Sequence, residues 1–437
     1  MIDAGRRPVV ACYHRLEDAA ALRARVNALN LQSERPDPFS TFEFLENFLA
    51  HDERRSASRS TLWFLTATDA GRLIGYVALT HERARFLGFP VSKVGFAVTR
   101  DTDRPHVVAL AGHLREVSDA FYRYLLERKR DWSLLEFQQQ DGASSMFPPP
   151  ACIAGNGLAV RQWPSLANGT IPVRWSTFEN YLRDLTKKNR SNFRRQVRRL
   201  LAAGEVEVLT SADPATTPAL LELYRSIEPR SWKSAAHGAI GRHPGRVAYF
   251  QALLRPVQPM HVSIHLLLVD GLPVAGLISG AFAEGLYALH IIYDASLAPA
   301  APGSLMLLMG VRQAIEARVT YFNLLSGFGY FKVRWLATMT EARTGQIYRT
   351  DRLPFWRRVV GDCLRSVWRR PRASASAPFN PARRAAEGSG EDDVPSKPRP
   401  VSAQERERLY ALLSKARQHP HRTLSALALA ELCGVEP

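Results

Sequence analysis

Two short turn motifs, one in each half of the chain, stand at the same place in the same succession of predicted elements. The first is Asp69-Ala70-Gly71 and the second is Asp270-Gly271, and each separates two apolar stretches of strand length. Such sequences favour tight turns between antiparallel strands, so each motif predicts a β-hairpin. A strand and two helices precede each hairpin, and a strand, a helix and a final strand follow it. Because a repeated order of elements indicates a repeated fold, the chain is predicted to contain two copies of one α+β lobe.

Size and composition agree with a folded protein of this kind. The chain has 437 residues, which is room for two or three domains with sizeable cores. Its 46% hydrophobic and 23% charged content is that of a globular protein and not of a disordered one. No apolar run approaches the roughly 18 residues that a membrane span needs, and the N-terminus lacks a signal-peptide core. The four cysteines have no spacing typical of zinc sites or disulfides, so we expect a cytoplasmic protein with free thiols and no metal.

Changes in composition divide the chain into five predicted segments. Residues 1–165 form the first lobe and residues 166–350 the second, with an irregular stretch up to Pro172 as the crossing between them. The remaining segments are a basic amphipathic helix over residues 351–372, a disordered linker over residues 373–400 and a hairpin of two helices over residues 401–437. The predicted fold class is therefore α+β, with mixed, mostly antiparallel sheets flanked by helices and a helical C-terminal tail.

One loop of the second lobe has the character of an anion site. An apolar strand ending at Tyr293 is followed by Pro302-Gly303-Ser304, and Ser304 is predicted to cap the next helix. A Pro-Gly turn that enters a helix directs unpaired N–H groups and the positive end of the helix dipole toward one point. The alternative is an ordinary connection between a strand and a helix. At the equivalent place in the first lobe Asp101 and Asp103 would repel a phosphate, so we assign the anion site to the second lobe.

The positive charge of the chain, formally +17, is concentrated in clusters. A helix opened by a capping box at Ser176 and Glu179 is predicted to continue into a basic run that has no acidic residue. Its cations are Lys187, Lys188, Arg190, Arg194, Arg195, Arg198 and Arg199. Such a cluster favours a phosphate-bearing ligand, nucleic acid or an anionic membrane, and the alternative is a solvated helix face.

Residues 353–372 have a different pattern, in which apolar positions including Trp356 and Trp368 recur at helical spacing opposite arginines. A basic amphipathic helix with tryptophans can lie in an anionic membrane interface. It can equally close the second lobe by packing on it. The first interpretation adds a peripheral position at the inner face of the membrane to the expected cytoplasmic location.

The order of elements and a set of short motifs resemble a known family. The matching residues, spread over about residues 170–345, are Leu185 to Arg195, Trp232-Lys233, Asp270-Gly271 with Ala275, Tyr293-Asp294, Pro302-Gly303-Ser304-Leu305, and Gly327 with Phe331-Lys332-Val333-Arg334-Trp335. Together they resemble the GNAT acyltransferase fold in its CelD/BcsL-like branch, which is found in bacterial cellulose and exopolysaccharide gene neighbourhoods and is related to the Fem transferases. Two residues depart from the family pattern: Asn323 stands where an acid is usual, and Phe331 stands where tyrosine is usual.

The resemblance implies an N-acyltransferase with acyl-CoA, in particular acetyl-CoA, as cosubstrate. Lys332 would polarise the carbonyl under attack, since Phe331-Lys332 is similar to the Fem-type pattern. Asp294 and then His290 are the candidate bases, although Asp294 could instead cap a turn and His290 could be a satisfied core histidine. Tyr330 could protonate the leaving thiolate. Donor-binding residues would be Pro302, Gly303, Ser304, Leu305 and Arg334, and substrate or phosphate would contact Lys187, Lys188, Arg190, Arg194 and Trp232.

The expected acceptor is an amino sugar or another cell-envelope or exopolysaccharide precursor. One alternative is a Fem-like transferase whose donor is aminoacyl-tRNA, which the cationic helix favours. Another is a catalytically inactive scaffold in a polysaccharide biosynthesis complex, which Asn323 and the undetermined base favour.

Overall fold

Two mixed β-sheets, each of eight strands, form the two lobes of the protein. The computed structural model describes residues 7–51, 60–86, 89–99, 101–141, 146, 157–231, 233, 238–327, 330–352, 355–356 and 401–435. Within this part of the chain the fold class is α+β and the sheets are mostly antiparallel, which confirms the predicted class.

The first lobe begins with a strand and two helices and continues with a meander of strands. Its elements are β1 (Val9–Tyr13), α1 (Arg23–Leu31), α2 (Phe42–His51), β2 (Thr61–Asp69), β3 (Arg72–Phe86), β4 (Phe89–Phe96), β5 (Val108–Ala109), α3 (Leu114–Glu127), β6 (Leu134–Gln140) and β7 (Leu158–Pro164). Short 3-10 helices cover Leu16–Leu22 and Pro38–Ser40.

The second lobe repeats this order and ends in a tail. Its elements are β8 (Asn168–Pro172), α4 (Phe178–Asp184), α5 (Lys187–Leu201), β9 (Val206–Ser211), α6 (Thr217–Arg225), α7 (Pro244–Leu253), β10 (His261–Val269), β11 (Leu272–Phe282), β12 (Gly285–Tyr293), α8 (Pro302–Glu316), β13 (Tyr321–Ser326), α9 (Tyr330–Val333), β14 (Thr338–Thr340), β15 (Arg343–Arg349), α10 (Ala403–Arg417), β16 (Arg422–Ser425) and α11 (Ala426–Cys433). Two 3-10 helices cover Glu228–Arg230 and Ala295–Ala300.

Both hairpins take the form that the turn motifs predict. β2 pairs with β3 and β10 pairs with β11, in each case antiparallel. The turn residues Ala70, Gly71, Asp270 and Gly271 all have φ between 47° and 79°. Two successive positive φ values are the geometry of a two-residue turn that matches the twist of its strands.

The first sheet includes one strand from the second lobe, which the sequence did not indicate. The first sheet has the order β1-β2-β3-β4-β6-β15-β7, with β5 on β3, and the second has the order β14-β8-β13-β12-β11-β10-β9-β16. The strand Arg343–Arg349, which the predicted boundary at residue 350 places in the second lobe, therefore lies in the first sheet. The stretch up to Pro172, predicted to be irregular, contains β7 and β8.

Two other predictions of helices were wrong in their extent. The helix that opens near Ser176 does not continue into the basic run, because Leu185 is extended and Thr186 caps a second helix through a bond from the Asn189 amide. In the first lobe, the sequence of residues 106–128 predicts one long helix from His106, but the helix begins only at Leu114, after the short strand β5.

The C-terminal tail is an integral part of the second lobe. Its predicted second helix, expected from Thr423, begins at Ala426, and the residues before it form β16 on the outer edge of β9. Leu409 and Leu413 of α10 enter the core that α6 and α7 form, while Leu429 of α11 enters the core beside α5 and α8. The tail thus covers both faces of the second sheet.

This docking predicts unequal effects for two leucines of the tail. Leu413 is 4% exposed and Leu427 is 55% exposed. Leu413→Ala is expected to lower the free energy of unfolding by about 2–4 kcal/mol, because it leaves a cavity in a packed core. Leu427→Ala should change it by less than about 0.5 kcal/mol. Urea denaturation of both variants measures the difference, and equal effects would show that the tail is not packed as described.

The predicted basic helix and linker fall almost wholly outside the described residues. Of residues 351–400 the structure describes 351–352 and 355–356, where Phe355 packs on Val91, Leu134 and Tyr348 of the first lobe. Within the described residues, no helix has the length and apolar character required to cross a lipid bilayer.

Candidate active site

The two neighbouring parallel strands of the second sheet, β12 and β13, separate after a short stretch of pairing. Their register joins Gly285 with Tyr321, Leu286 with Phe322, and Tyr287 with Asn323. Beyond these pairs β12 follows β11 as far as Tyr293, whereas β13 follows β8 as far as Ser326. The strands therefore enclose a gap that widens toward Tyr293 on one side and Ser326 on the other.

The loop after β12 brings the beginning of α8 to this gap. Ala301 adopts a left-handed conformation with φ of 46°, and α8 begins at Pro302. Ser304 is therefore inside the first turn, and the prediction that it caps the helix is wrong; its amide donates to the Ala301 carbonyl at 2.9 Å. A Cβ atom on Gly303 would lie 2.9 Å from Cδ1 of Tyr293, so glycine lets the helix approach the strand closely. The described first turn carries no acidic side chain, which keeps its positive dipole end available to an anion.

Lys332 lies on the other side of the gap, at the end of β13. It is 4% exposed, and its Nζ donates to the carbonyls of Leu324 at 2.9 Å and Leu325 at 2.5 Å. Among the described residues these are its hydrogen-bond acceptors, which leaves one ammonium hydrogen for a ligand. Burial lowers the pKa of Lys332 to about 8, and the negative charge of Asp103 opposes this. Its catalytic role stays a prediction.

Glycine on the adjacent strand makes this position possible. A Cβ atom on Gly169 of β8 would lie 2.6 Å from Cδ of Lys332 and 3.3 Å from the sulfur of Met339. The lysine side chain thus lies flat on the backbone of β8, and its charged end reaches the carbonyls of β13.

The end of β13 is held by an amide and a carboxylate. Oδ1 of Asn323 accepts from the Leu325 amide at 2.8 Å and from Nδ2 of Asn168 at 2.9 Å. Leu325 is left-handed, with φ of 57°, so this turn depends on side-chain support. Asp103, from the first lobe, accepts from the amide and hydroxyl of Ser326 at 2.8 and 2.5 Å and from Nδ2 of Asn168 at 2.6 Å.

Sequence reasoning missed Asp103 and Asn168. It considered Asp103 only as a charge that would repel a phosphate, but both aspartates of that loop reach into the second lobe. Asp101 forms a partly buried ion pair with Arg246, with distances of 2.5 and 3.0 Å. The sequence offered one signal, because Asn323 stands where the resembled family usually has an acidic residue. That signal does not show which residue, distant in sequence, supplies a carboxylate instead.

Asp294, the first candidate base, is fully engaged. Its Oδ2 accepts from Nε of Arg230 at 2.6 Å, and its Oδ1 accepts from the amide and hydroxyl of Ser296 at 2.9 and 2.7 Å. Arg230 also donates to the Pro273 carbonyl at 2.8 Å. Arg230 and Asp294 are 7% and 8% exposed in their side chains. The carboxylate thus caps the 3-10 helix Ala295–Ala300 and pairs with a buried cation.

His290, the second candidate base, lies in the core on the face of β12 that packs against α6 and α7, away from α8. Its Nδ1 is 2.7 Å from the hydroxyl of Tyr224 and its Nε2 is 3.1 Å from the Gly238 carbonyl. Burial, followed by the charges of Lys233 and Arg246, holds the pKa of His290 well below its usual range. A neutral imidazole with both nitrogens occupied has no free lone pair for a substrate.

The basic helix α5 is amphipathic, as expected. Phe193, Val197 and Leu200 are buried, whereas Lys187 and Lys188 are exposed. Two of its arginines make contacts that stabilise the fold: Nη1 of Arg190 donates to the Leu185 carbonyl at 2.6 Å, and Nε of Arg194 donates to the Cys433 carbonyl at 3.3 Å. Arg199, at the far end, donates to the Pro299 carbonyl at 2.9 Å and so touches the loop before α8.

Of three further predicted site residues, the structure describes Arg334, only the backbone of Tyr330, and nothing of Trp232. Arg334 is exposed, with its guanidinium 5.1 Å from the centre of the Trp335 ring, and burial of its stem lowers its pKa. Tyr330 begins α9, but its side chain lies outside the described residues, as does the whole of Trp232.

A separate cavity of about 920 Å³ lies beside the C-terminal half of α8 and the tail. Its lining includes His265, which is bonded to Thr210, Ser279 and Gln313 at 2.9 to 3.0 Å and whose pKa burial lowers to about 4. The cavity lies along α8 away from its first turn, and its polar side chains are paired with one another. Among the described residues, no three His, Cys, Asp or Glu side chains are arranged to hold a metal ion.

Comparison with known proteins gives a domain and a fold. Residues 187–333 match the family model described as acetyltransferase (GNAT) domain. The crystal structure of FemX superposes with a TM-score of 0.51 at 10% identity, covering 77% of this chain and 98% of that one. A tandem GNAT protein from the clavulanic acid biosynthesis pathway, without AcCoA, gives a TM-score of 0.44 at 11% identity, covering 79% and 99%. No curated protein matches the sequence significantly. Residues 187–333 are therefore similar to GNAT acetyltransferase domains, and the fold of the chain is similar to that of FemX.

Proposed function

We propose that the protein is an N-acyltransferase that takes an acyl group from acyl-CoA, acetyl-CoA being the donor to test first. The observation that carries the proposal is the gap between β12 and β13. On one side it has the first turn of α8, and on the other it has the buried ammonium of Lys332 with a hydrogen available. An anion-binding helix terminus and an electrophile on opposite sides of one gap suit a donor with a pyrophosphate and a thioester.

The residues would divide the work as follows. The amides of Gly303 and Leu305 would bind the pyrophosphate, because the Ser304 amide already donates to Ala301. Lys332 would donate to the thioester oxygen, which becomes negative when the amine attacks. The carbon–nitrogen bond forms, the carbon–sulfur bond breaks, and the thiolate takes up the proton that the attacking nitrogen loses.

The acceptor amine has to arrive neutral, since the described candidates for a base are occupied. Asp294 is bonded to Arg230 and Ser296, and both nitrogens of His290 have partners. We infer that the amine loses its first proton to solvent before it binds. This favours an acceptor whose amine has a pKa near neutrality, as amino sugars have, over a lysine-like amine. The likeness of residues 170–345 to the CelD/BcsL-like branch supports an amino sugar or another exopolysaccharide or envelope precursor.

Calorimetry with acetyl-CoA tests the donor site. Ser304→Asp adds a negative charge to the first turn of α8, where it should stabilise the helix but repel a pyrophosphate. We expect the affinity for acetyl-CoA to fall at least about tenfold, as charges a few ångströms apart imply. Ala403→Asp is the matched control, because it adds the same charge at an exposed position in the first turn of α10. Equal affinity in wild type and Ser304→Asp, or no binding by wild type, would refute the proposal.

A second candidate donor is aminoacyl-tRNA, and the exposed cations Lys187, Lys188, Arg195 and Arg198 on α5 favour it. Binding of tRNA that weakens steeply with salt, together with the absence of acetyl-CoA binding, would support this alternative. A scaffold without activity would instead bind acetyl-CoA and transfer no acyl group to any amine.

A further inference from the structure

The Asp103 carboxylate of the first lobe is linked by hydrogen bonds to the amide side chain of Asn323 in the second lobe. Asn323 stands at the point where β13 leaves β12, and the Asp103 carboxylate lies two hydrogen bonds away, through Nδ2 of Asn168. Asp103 is 5% exposed and Asn168 is fully buried. A carboxylate removed from water in this way requires full compensation by donors. Ser326 and Asn168 of the second lobe provide its three shortest hydrogen bonds, and Nε of Arg104, from the first lobe, adds a longer one at 3.4 Å.

These contacts continue to Lys332 through the backbone. Asp103 fixes Ser326, Asn323 fixes the amide of Leu325, and the carbonyls of Leu324 and Leu325 hold the ammonium. The left-handed Leu325 makes this turn one that would relax if its side-chain partners were lost. The orientation of the lysine is therefore set by a residue of the other lobe.

Among the described residues, few charged groups act on Lys332. Its side chain lies against the uncharged Gly169 of β8, and its ammonium contacts two carbonyls of β13. Asp103 is the charged group that acts on it among the described residues. A buried ammonium with one nearby carboxylate depends strongly on that carboxylate, because few other groups screen the interaction.

We propose that Asp103 is a positioning residue for acyl transfer: across the lobe interface it supplies the carboxylate that holds the end of β13 and the ammonium of Lys332 in place. This inference rests on the proposed function, because it assigns Lys332 to the reacting carbonyl. It also gives the first lobe a role, since the site of the second lobe is complete only when the lobes are docked.

The matched pair Asp103→Asn and Asp101→Asn tests this role. Both aspartates lie in one loop and contact the second lobe, but Asp101 is only partly buried and faces Arg246 and Lys233. The chain has eight lysines, so NMR of lysine labelled at Cε can follow each pKa, with Lys332→Arg assigning one signal. We expect Asp103→Asn to lower the pKa of Lys332 by about one unit and leave that of Lys233 unchanged. Asp101→Asn should lower the pKa of Lys233 and leave that of Lys332 unchanged. An unchanged pKa of Lys332 in Asp103→Asn would overturn the proposal.

Kinetics separates positioning from a merely structural role. Asp103→Asn is expected to lower turnover at least about tenfold while acetyl-CoA affinity stays within about twofold. The alkaline limb of its pH–rate profile should move to lower pH, and Asp103→Glu should restore part of the turnover. Ser326→Ala provides a second variant, since it loses one hydrogen bond and keeps the charge; turnover should fall with the pKa of Lys332 unchanged. If Asp103→Asn lost activity equally at every pH and the alkaline limb of its pH–rate profile did not move, the positioning role would be wrong.

The two proposals fail in different ways. If the wild type binds no acetyl-CoA but the lysine pKa values respond as expected, the proposed function falls and the coupling of Asp103 to Lys332 stands. If the wild type transfers acyl groups and Asp103→Asn matches it in pKa and turnover, this inference falls alone.

Discussion

Lys332→Met is expected to lower the turnover number for acyl transfer about 10²–10³-fold, which is the usual effect of removing one donor to a developing oxyanion. The affinity for acetyl-CoA should change less than about threefold, because the pyrophosphate binds at α8. Methionine has nearly the shape of lysine, so the packing on Gly169 is kept. Steady-state kinetics and calorimetry on the same protein separate the two effects.

Stability provides the control for this variant. Lys332→Met removes the cost of burying an ammonium that has no directly paired carboxylate among the described residues, and this offsets the loss of its hydrogen bonds to the Leu324 and Leu325 carbonyls. Lys332→Met should therefore unfold at the same or a higher urea concentration than the wild type. Loss of activity with unchanged stability supports a role in chemistry, whereas full turnover in Lys332→Met would remove the basis for the catalytic assignment.

The same lysine gives a pH dependence of known sign. With a pKa of about 8, Lys332 loses its proton as the pH rises through 8, so turnover should fall above that value. The free energy of unfolding should instead rise with pH. The unfolded lysine has a pKa near 10.4, so between about 8 and 10.4 the unfolded state binds more protons and the folded state gains stability with pH. In Lys332→Met the fall in turnover above pH 8 should be absent, and the rise in stability should be smaller than in the wild type; it should not vanish, because burial also lowers the pKa of Lys233 to about 8.

Asp294→Ala is expected to lower the free energy of unfolding by about 3–5 kcal/mol, because it leaves the buried guanidinium of Arg230 without its partner. The side chains are 7% and 8% exposed and the Nε to Oδ2 distance is 2.6 Å. The variant also removes the acceptor of the Ser296 amide. Urea denaturation measures the loss, and the double variant Arg230→Met, Asp294→Ala should recover part of it.

An exposed ion pair serves as the comparison. Arg174 and Asp184 are 65% and 47% exposed, so Asp184→Ala should cost no more than about 1 kcal/mol. Asp294→Asn tests the remaining catalytic alternative. If this variant kept its stability and lost turnover at least about tenfold, Asp294 would act as the base and the structural role described above would be wrong.

Much of the fold could be predicted because its signals are local. The turns at Ala70-Gly71 and Asp270-Gly271 have positive φ at two successive residues, of which the glycine adopts this conformation without strain, and both hairpins formed where expected. The Pro-Gly loop likewise marks the beginning of α8 to within three residues, since the predicted cap is Ser304 and the observed cap is Ala301. The break between α4 and α5 was missed because an apolar stripe continues through Leu185, and only the capping by Thr186 shows that the helix starts again.

The sequence by itself determined the two-fold repeat, the position of the loop before α8 and the choice of Lys332 as the residue to test. These depend on turn chemistry, helix capping and short motifs, which act within a few residues. Only the tertiary structure decided that β15 joins the first sheet, that β16 closes the second, that Asp294 is paired with Arg230 and that Asp103 reaches Ser326 from the other lobe. Each of these joins residues far apart in sequence, and which carboxylate meets which buried donor depends on how whole sheets pack and on the cost of leaving a buried charge unpaired.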